Sequence, residues 1–289
     1  MAIKNLTIIG ESINDSVPST HQLFEAGDLD GLKALAKTQD EKGAAYIDVN
    51  IGKRPPELMA QLVRELQTVT AKPLSIDSPD PEIAAAGLKA YDPAKAGGKL
   101  PILNSISPLR LSMIDLYRIQ PFMPILLVSE RVENGQSLPT RTGAETLQAA
   151  RDLVRRLREK GYPLPAAQII IDPGIAPIGS DMEGNLKRAL ESIRLIHEAP
   201  DLKEAHFSVG LSNFTVMLPS KRPDGSPVKS ALESAFLTKA MPLGLDMVIG
   251  SVKRNYEILS PGHPALACIE ACLDLDGFDS IIRVKEFYS

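Results

Sequence analysis

The chain has 289 residues, of which 44% are hydrophobic and 24% are charged, so it can bury a substantial core. Its 32 basic and 36 acidic residues give a formal net charge of -4. That balance argues against nucleic acid as a partner, because nucleic-acid-binding proteins carry a basic face. The sequence shows neither a signal peptide nor about 18 consecutive apolar residues. We therefore expect a cytoplasmic protein without membrane contact, folded as one domain over residues 1–289.

Short apolar segments alternate with amphipathic helical patterns along the whole chain. The predicted strands contain, in order, Thr7, Ala45, Leu74, Ile102, Ile125, Ile169, Phe207 and Met247. Apolar runs that are buried on both faces are typical of parallel strands. Eight strand–helix units predict an α/β fold of the (β/α)8 TIM-barrel type, which commonly needs about 250 residues. A doubly wound open sheet is the alternative, because hydrophobic periodicity does not report whether the sheet closes.

The helical patterns between these strands have clear starts and stops. Gly43 is a plausible C-terminal cap for the first predicted helix, and Ser78 and Thr142 are plausible N-terminal caps for two others. Residues 130–141 contain Asn134-Gly135 and predict a loop or a small hairpin. The segment 213–228 is the longest irregular one, a size at which loops tend to be functional or mobile. The predicted helices cover 28–43, 55–69, 82–91, 109–119, 142–160, 183–198 and 230–244.

Most predicted strands end on a carboxylate, an amide or a hydroxyl. Such strand ends converge on one opening in a TIM barrel. Any one of these residues could instead be a helix N-cap, since Asp, Asn and Ser are favoured there, but this explains the whole set poorly. A mouth of carboxylates and amides suits a neutral heterocycle that carries several hydrogen-bond donors. The set comprises Glu11, Asn14, Asp48, Asn50, Asp77, Asn104, Asp172, Ser212 and Asn213.

Other chemistries find less support in the sequence. Carboxylates at a barrel mouth could hold Mg²⁺. A zinc site is not indicated, because the four histidines lack the spacing of zinc ligands. Gly174 to Gly179 has the outer spacing of a phosphate loop, yet Ser180-Asp181 replaces the required Lys-Ser/Thr pair. Neither a GxGxxG turn nor a GxSxG nucleophile elbow occurs. Cys268 and Cys272 lie one helical turn apart and cannot build a disulfide framework. We therefore expect no resident metal.

Six strand-end motifs resemble, in order and spacing, the pterin-binding barrel of methyltetrahydrofolate:corrinoid protein methyltransferases. This barrel is related to the folate domain of cobalamin-dependent methionine synthase, and the resemblance extends from Ile9 to about Ile249. The motifs are Gly10-Glu11-Ser12-Ile13-Asn14, Asp48-Val49-Asn50-Ile51-Gly52, Ser75-Ile76-Asp77-Ser78, Leu103-Asn104-Ser105, Ile171-Asp172-Pro173 and Gly210-Leu211-Ser212-Asn213.

The resemblance implies a role for several of these residues. Asp77 and Asp172 match the carboxylates that bind the pterin ring, and Asn104 matches an amide that contacts it. Asn213 matches the catalytic amide near the methyl-bearing N5. The other matched residues lie in the remaining strand-end motifs, and the resemblance implies that they help to bind the folate: Glu11, Asp48, Asn50, Gly210 and Ser212.

The resemblance also implies the substrates and the partners. The methyl group would move between N5 of tetrahydrofolate or methyltetrahydrofolate and the cobalt of a corrinoid (cobalamin). The chain lacks an Asp-x-His-x-x-Gly motif, so the corrinoid would arrive on a separate protein. A homodimer is implied as well. Two features depart from the family: Ser12 stands where the family often has Arg, and the segment after Asn213 is more apolar than in relatives.

Two alternative functions remain open at this stage. Dihydropteroate synthase binds the same ring and also uses an Ile-Asp-Pro-Gly stretch like the one from Ile171 to Gly174. That family expects a Ser-Thr-Arg-Pro-Gly loop after the second strand, where this chain has Gly52-Lys53-Arg54-Pro55-Pro56. A non-catalytic folate-binding subunit would bind the pterin without transferring a methyl group.

Overall fold

A sheet of eight parallel strands forms the centre of the computed structural model, which describes residues 3–133 and 135–289. Its strands, in chain order, are β1 (Thr7–Asn14), β2 (Tyr46–Asn50), β3 (Leu74–Asp77), β4 (Ile102–Ile106), β5 (Met123–Leu127), β8 (Ile170–Asp172), β9 (His206–Phe207) and β10 (Met247–Gly250). A separate antiparallel hairpin pairs β6 (Glu130–Glu133) with β7 (Gln136–Pro139). This confirms the hairpin prediction, although Asn134 itself lies outside the described residues.

The sheet is rolled into a nearly closed barrel. The spatial order is β10-β1-β2-β3-β4-β5-β8-β9, so the first and last strands of the chain are neighbours. Beyond β9, Gly210 forms a parallel bridge with Ile249, and the Ile249 amide donates to the Val209 carbonyl at 3.0 Å. This contact joins the two edges of the sheet. The predicted (β/α)8 barrel is therefore confirmed, and the alternative of a doubly wound open sheet is wrong.

Ten helices surround the barrel in the described residues: α1 (Pro18–Ala26), α2 (Leu29–Glu41), α3 (Pro56–Leu66), α4 (Pro81–Ala90), α5 (Gly143–Glu159), α6 (Asn185–Glu198), α7 (Leu211–Phe214), α8 (Lys229–Ala240), α9 (Pro264–Asp274) and α10 (Gly277–Tyr288). The Thr142 side chain caps α5 by accepting from the Glu145 amide. Gly43 follows α2 with a φ of 87°, a left-handed conformation that favours glycine. None of the described helices is long and apolar enough to cross a membrane.

Three local predictions differ from the structure. Residues 109–119 were expected to form an α-helix, whereas Leu111–Arg118 forms a 3-10 helix. Helix α4 is capped by Asp80, which accepts from the Glu82 amide at 2.8 Å, and not by Ser78. The sequence predicts one strand over 206–211, whereas β9 ends at Phe207 and Gly210 is the N-cap of the short helix α7. Helix α1 was not predicted at all.

The interior of the barrel is divided into an apolar part and a polar part. One buried cluster fills the centre with residues from five strands, namely Ile9, Ile102, Ile125, Ile170 and Met247. Side chains two apart on a strand share a face of the sheet. The face that carries Ile102 therefore also carries Asn104, and the face that carries Ile170 also carries Asp172. The apolar layer closes the barrel below, and the polar side chains lie above it at the C-terminal ends of the strands.

Candidate functional site

Asp77 is held in place by an amide on the neighbouring strand. Asn50, at the end of β2, donates from Nδ2 to Asp77 Oδ2 at 2.8 Å. The other end of the same amide, Asn50 Oδ1, accepts from the Gly52 backbone amide at 2.8 Å. A hydrogen bond to an ionised acceptor is stronger than one between neutral groups. Asn50 therefore orients the Asp77 carboxylate at the mouth of the barrel.

Asp48 lies below Asp77 and is almost completely buried, with 1% of its surface exposed. Its Oδ1 accepts from the Ser75 hydroxyl at 2.6 Å. Burial and the neighbouring Asp77 charge raise the pKa of Asp48 well above its usual range. Burial therefore favours the protonated form of Asp48, and a side-chain hydrogen bond joins Asp48 to Asp77.

The pKa of Asp77 is raised to about 6, chiefly because burial disfavours its charged form. Three neighbours oppose this shift: the hydrogen bonds from Asn50 and Asp48, and the positive charge of Arg110. Asp77 is consequently a carboxylate at neutral pH and becomes protonated just below pH 6. The outer of the two adjacent acids, Asp77, therefore carries a charge at neutral pH.

Asn104 is the direct neighbour of Asp77 in the sheet register. Its Nδ2 lies 3.5 Å from Asp48 Oδ1, which is too long for a strong hydrogen bond. The side chain is half-buried on the interior face of β4. Its amide therefore retains most of its hydrogen-bonding capacity for a molecule bound at the mouth.

Asp172 ends β8 and is buried, with 7% of its surface exposed. Its Oδ1 accepts from the Gly174 amide at 2.7 Å, and burial raises the pKa of the carboxyl to about 6. The nearby cation of Arg188 opposes that rise. The pKa values of Asp172 and Asp77 are thus raised to a similar level, although the two carboxyls have different hydrogen-bond partners.

Arg188 is a supporting residue that the sequence did not reveal. It lies on α6 and is buried, and its guanidinium donates to the carbonyls of Pro173 at 2.6 Å and of Gly174 at 3.1 Å. These bonds fix the loop that follows Asp172. Sequence analysis missed Arg188 because an arginine within a helical pattern is usually exposed, and its loop partners have no sequence signature.

Glu11 and Ser212 join the first and the last parts of the rim. The Ser212 hydroxyl donates to Glu11 Oε1. Burial raises the pKa of Glu11, while the Ser212 hydrogen bond and the charge of Arg254 oppose the rise. Arg254 also forms an ion pair with the fully buried Glu233. Arg254 is a second arginine near the rim that the sequence patterns did not identify.

Asn213 lies on the short helix α7 and is exposed. A Cβ atom added to Gly210 would lie only 2.7 Å from Asn213 Nδ2, so the absence of a side chain at Gly210 makes room for this amide. Among the residues that the structure describes, the Asn213 side chain has no hydrogen-bond partner. Its amide is available to a bound molecule.

The candidate residues all lie at the C-terminal end of the barrel, but they form separate groups. Asp48, Asn50, Asp77 and Asn104 make up one contact network across β2, β3 and β4. Glu11, Ser212, Gly210 and Asn213 form a second group where the barrel closes. Among the described residues, Asp172 has no hydrogen bond to either group, and its Oδ1 accepts from the Gly174 amide of its own loop. The arrangement offers carboxylates and amides to a flat ring that carries several donors.

Comparison with known proteins agrees with this geometry. Residues 13–250 match the family model described as "Pterin binding enzyme". Over 260 residues the chain is 28% identical to the methylcorrinoid:tetrahydrofolate methyltransferase of Eubacterium limosum, a match that covers 84% of each protein.

Solved structures share the fold at lower identity. The dihydropteroate synthase of Yersinia pestis superposes with a TM-score of 0.58 at 14% identity, covering 94% of each chain. That of Thermus thermophilus gives a TM-score of 0.56 at 19% identity, covering 94% of this chain and 95% of the other. At such identities the likeness describes the fold alone. The family match extends over most of the barrel, and the chain therefore belongs to the pterin-binding enzyme family.

Proposed function

We propose that this protein is a methyltransferase that moves a methyl group between N5 of tetrahydrofolate and the cobalt of a corrinoid carried on a separate protein. The proposal is supported by the family membership and by the 28% identical methyltransferase. The observation that carries it is the charged Asp77 carboxylate, which hydrogen bonds from Asn50 and Asp48 hold at the mouth of the barrel.

The pterin ring supplies hydrogen-bond donors that the carboxylates of this mouth can accept. Its N3-H and its 2-amino group are two parallel donors, and a carboxylate can accept both as a fork. Asp77 takes this role, and Asp172 accepts from the ring on the other side of the mouth. Asn104 contributes a further contact to the ring. Glu11, Asp48, Asn50, Gly210 and Ser212 build the remainder of the site.

Asn213 acts at N5. When methyltetrahydrofolate is the donor, the N5–CH3 bond breaks and its electron pair stays on nitrogen, while cobalt(I) supplies the pair for the new Co–CH3 bond. N5 takes up one proton, so that tetrahydrofolate is released. The reverse reaction follows the same path. An amide that donates to N5, or accepts from protonated N5, stabilises the charge that changes in the transition state.

The partner is a corrinoid protein that reaches the open mouth. Val216 and Met217 follow Asn213 and are exposed, and Met217 is 90% exposed. This apolar stretch beside the reacting amide suits a protein surface better than it suits water.

We also propose that residues 1–289 act as one domain, that the protein is a cytoplasmic homodimer, and that it acts in an anaerobic demethylase or one-carbon pathway. Sedimentation analysis tests the dimer.

Dihydropteroate synthase activity is disfavoured by the loop after β2. In this chain Arg54 of that loop forms ion pairs with Asp15 and Glu25, and Pro56 already begins α3. Arg54 is therefore engaged by protein carboxylates. The Ser-Thr-Arg-Pro-Gly sequence expected of a synthase is replaced here by Gly52-Lys53-Arg54-Pro55-Pro56.

The test is a methyl-transfer assay with free cobalamin. The protein is mixed with methyltetrahydrofolate and Co(I) cobalamin, and formation of methylcobalamin is followed by absorbance. Folate binding without a spectral change would favour the non-catalytic subunit. Formation of dihydropteroate from a pterin diphosphate and 4-aminobenzoate would favour the synthase.

A single substitution separates binding from transfer. Asn213→Ala is expected to slow transfer by about 100-fold or more, the usual effect of losing one transition-state donor, and to change folate affinity far less. Gln148→Ala is the control, because this amide is exposed on α5 at the outside of the barrel. Equal losses of rate and affinity in Asn213→Ala would contradict the assigned role.

A further inference from the structure

A cleft with basic walls opens beside the rim of the barrel. It has a volume of about 610 Å³, and Lys221, Lys229, Lys253 and Arg254 are among its lining residues. We call it the basic cleft. Its walls come from the loop after α7, the start of α8 and the loop after β10. All three segments follow strand ends or begin a helix at the mouth, so the basic cleft lies on the same side of the barrel as the rim.

The lysines of the basic cleft form no ion pair with any residue that the structure describes. Within the described residues, none of Lys221, Lys229 and Lys253 has a carboxylate within 4.0 Å. Glu257 is the acidic residue in the lining of the cleft. Burial and the neighbouring Arg254 charge lower the pKa of Lys229. Such crowding of positive charge is relieved when an anion binds.

Helix α8 adds to this positive potential. It has twelve residues and begins with Lys229, and its first turn lines the basic cleft through Lys229, Ser230 and Ala231. The N-cap residue is Val228, which offers no side-chain acceptor, and the first turn contains no acidic residue. The first amides of a helix carry partial positive charge and bind anions when no side chain caps them.

Arg254 connects the basic cleft to the rim. It lines the cleft and forms an ion pair with the buried Glu233. Its positive charge also acts to lower the pKa of Glu11. Glu11 in turn accepts from Ser212, the residue before Asn213. A molecule whose ring occupies the rim therefore has the basic cleft beside it, with one arginine between the two.

We propose that the basic cleft binds the glutamate carboxylates of the folate tail and selects folates that carry several γ-linked glutamates. This inference rests on the proposed function. A tetrahydrofolate carries its glutamate on the end opposite the pterin ring, and each further γ-linked residue adds one carboxylate. Three unpaired lysines and an uncapped helix start match a short chain of such anions.

The test compares two ligands that differ only in the tail. Affinities of tetrahydropteroyl monoglutamate and triglutamate are measured by calorimetry at low and at high salt. We expect the triglutamate to bind about tenfold more tightly at low salt, because each added pair of partly exposed charges contributes a few-fold in affinity. High salt should reduce this ratio, since it screens exposed charges.

Substitutions then locate the effect. The double variant Lys229→Gln/Lys253→Gln is expected to lower the affinity ratio to about one. Lys95→Gln is the matched control, because Lys95 is exposed in the segment that leads into β4, at the other end of the barrel. This control should keep the wild-type ratio.

The outcomes separate the two proposals. Tight binding of both ligands with equal affinity in the wild-type protein would overturn the tail site and leave the methyltransferase proposal standing. Equal affinities together with binding of inorganic phosphate that the double variant abolishes would assign the basic cleft to a phosphate group instead. Binding of neither folate would overturn the proposed function and, with it, the tail site.

Discussion

Lowering the pH from 7 to 5 should weaken folate binding by an amount that the two rim carboxyls determine. The pKa values of Asp77 and Asp172 are both raised to about 6, mainly by burial. A pterin ring that offers N–H donors needs these groups ionised. Below pH 6 the free protein takes up protons that must be released when the ring binds, so the affinity falls as the pH falls.

The expected magnitude follows from the titration of each group. A carboxyl with a pKa of 6 is about ten-elevenths ionised at pH 7 and about one-eleventh ionised at pH 5, a tenfold change. One such group lowers the affinity about tenfold over this interval, and two independent groups lower it about 100-fold.

The assay is calorimetric titration with tetrahydrofolate between pH 5 and 7, with the ligand's own protonation measured separately and divided out. Asp77→Asn and Asp172→Asn should each bind more weakly at pH 7 and show about half the wild-type logarithmic dependence on pH. Gln148→Ala, on the outside of the barrel, is the control and should keep the wild-type dependence on pH. A wild-type affinity that does not change from pH 7 to pH 5 would refute the assignment of both carboxylates.

Three further substitutions test the surroundings of the site. Asn50→Ala removes the 2.8 Å hydrogen bond to Asp77 and should weaken folate binding roughly tenfold or more in calorimetry, as loss of a bond to a charged group does. Asp172→Asn should stabilise the unliganded protein at pH 8, because the folded pKa of about 6 lies above the usual 3.8 and ionisation then costs up to about 3 kcal/mol. That gain should disappear at pH 4 in thermal unfolding, below most of the titration. Gly10→Ala would place a Cβ atom 2.5 Å from Gln39 Oε1 and should lower the free energy of unfolding by about 1–3 kcal/mol, measured with urea.

The sequence predicted the barrel because its strand signal is strong and local. Runs such as Ile169 to Asp172 are apolar and short, and most of them stop on a polar residue. Parallel strands of a barrel all end on one side, so the polar ends were expected to meet there without knowledge of any contact. The structure places Asp77 beside Asn104 in register and Asn50 against Asp77, as that reasoning requires.

The supporting residues could not be predicted in the same way. Arg188 acts on the loop after β8 from a helix fourteen or more residues away in sequence, and Arg254 reaches a buried glutamate on α8. Such contacts depend on how helices pack against the barrel, which neither periodicity nor spacing encodes. The 3-10 form of Leu111–Arg118 is missed for a similar reason, since an apolar helical pattern does not distinguish the two helix types.

Asn50 explains why single residues were difficult to assign from the sequence. Its carbonyl oxygen accepts from the Gly52 amide and so closes a local turn, the role expected of any Asn or Asp after a strand. Its amide nitrogen donates to Asp77, a role that only an amide can perform at this position. An aspartate at residue 50 would preserve the turn but would set a second charge against Asp77 and raise its pKa further. The two ends of this one side chain therefore act separately: the oxygen closes the turn, and the nitrogen orients Asp77.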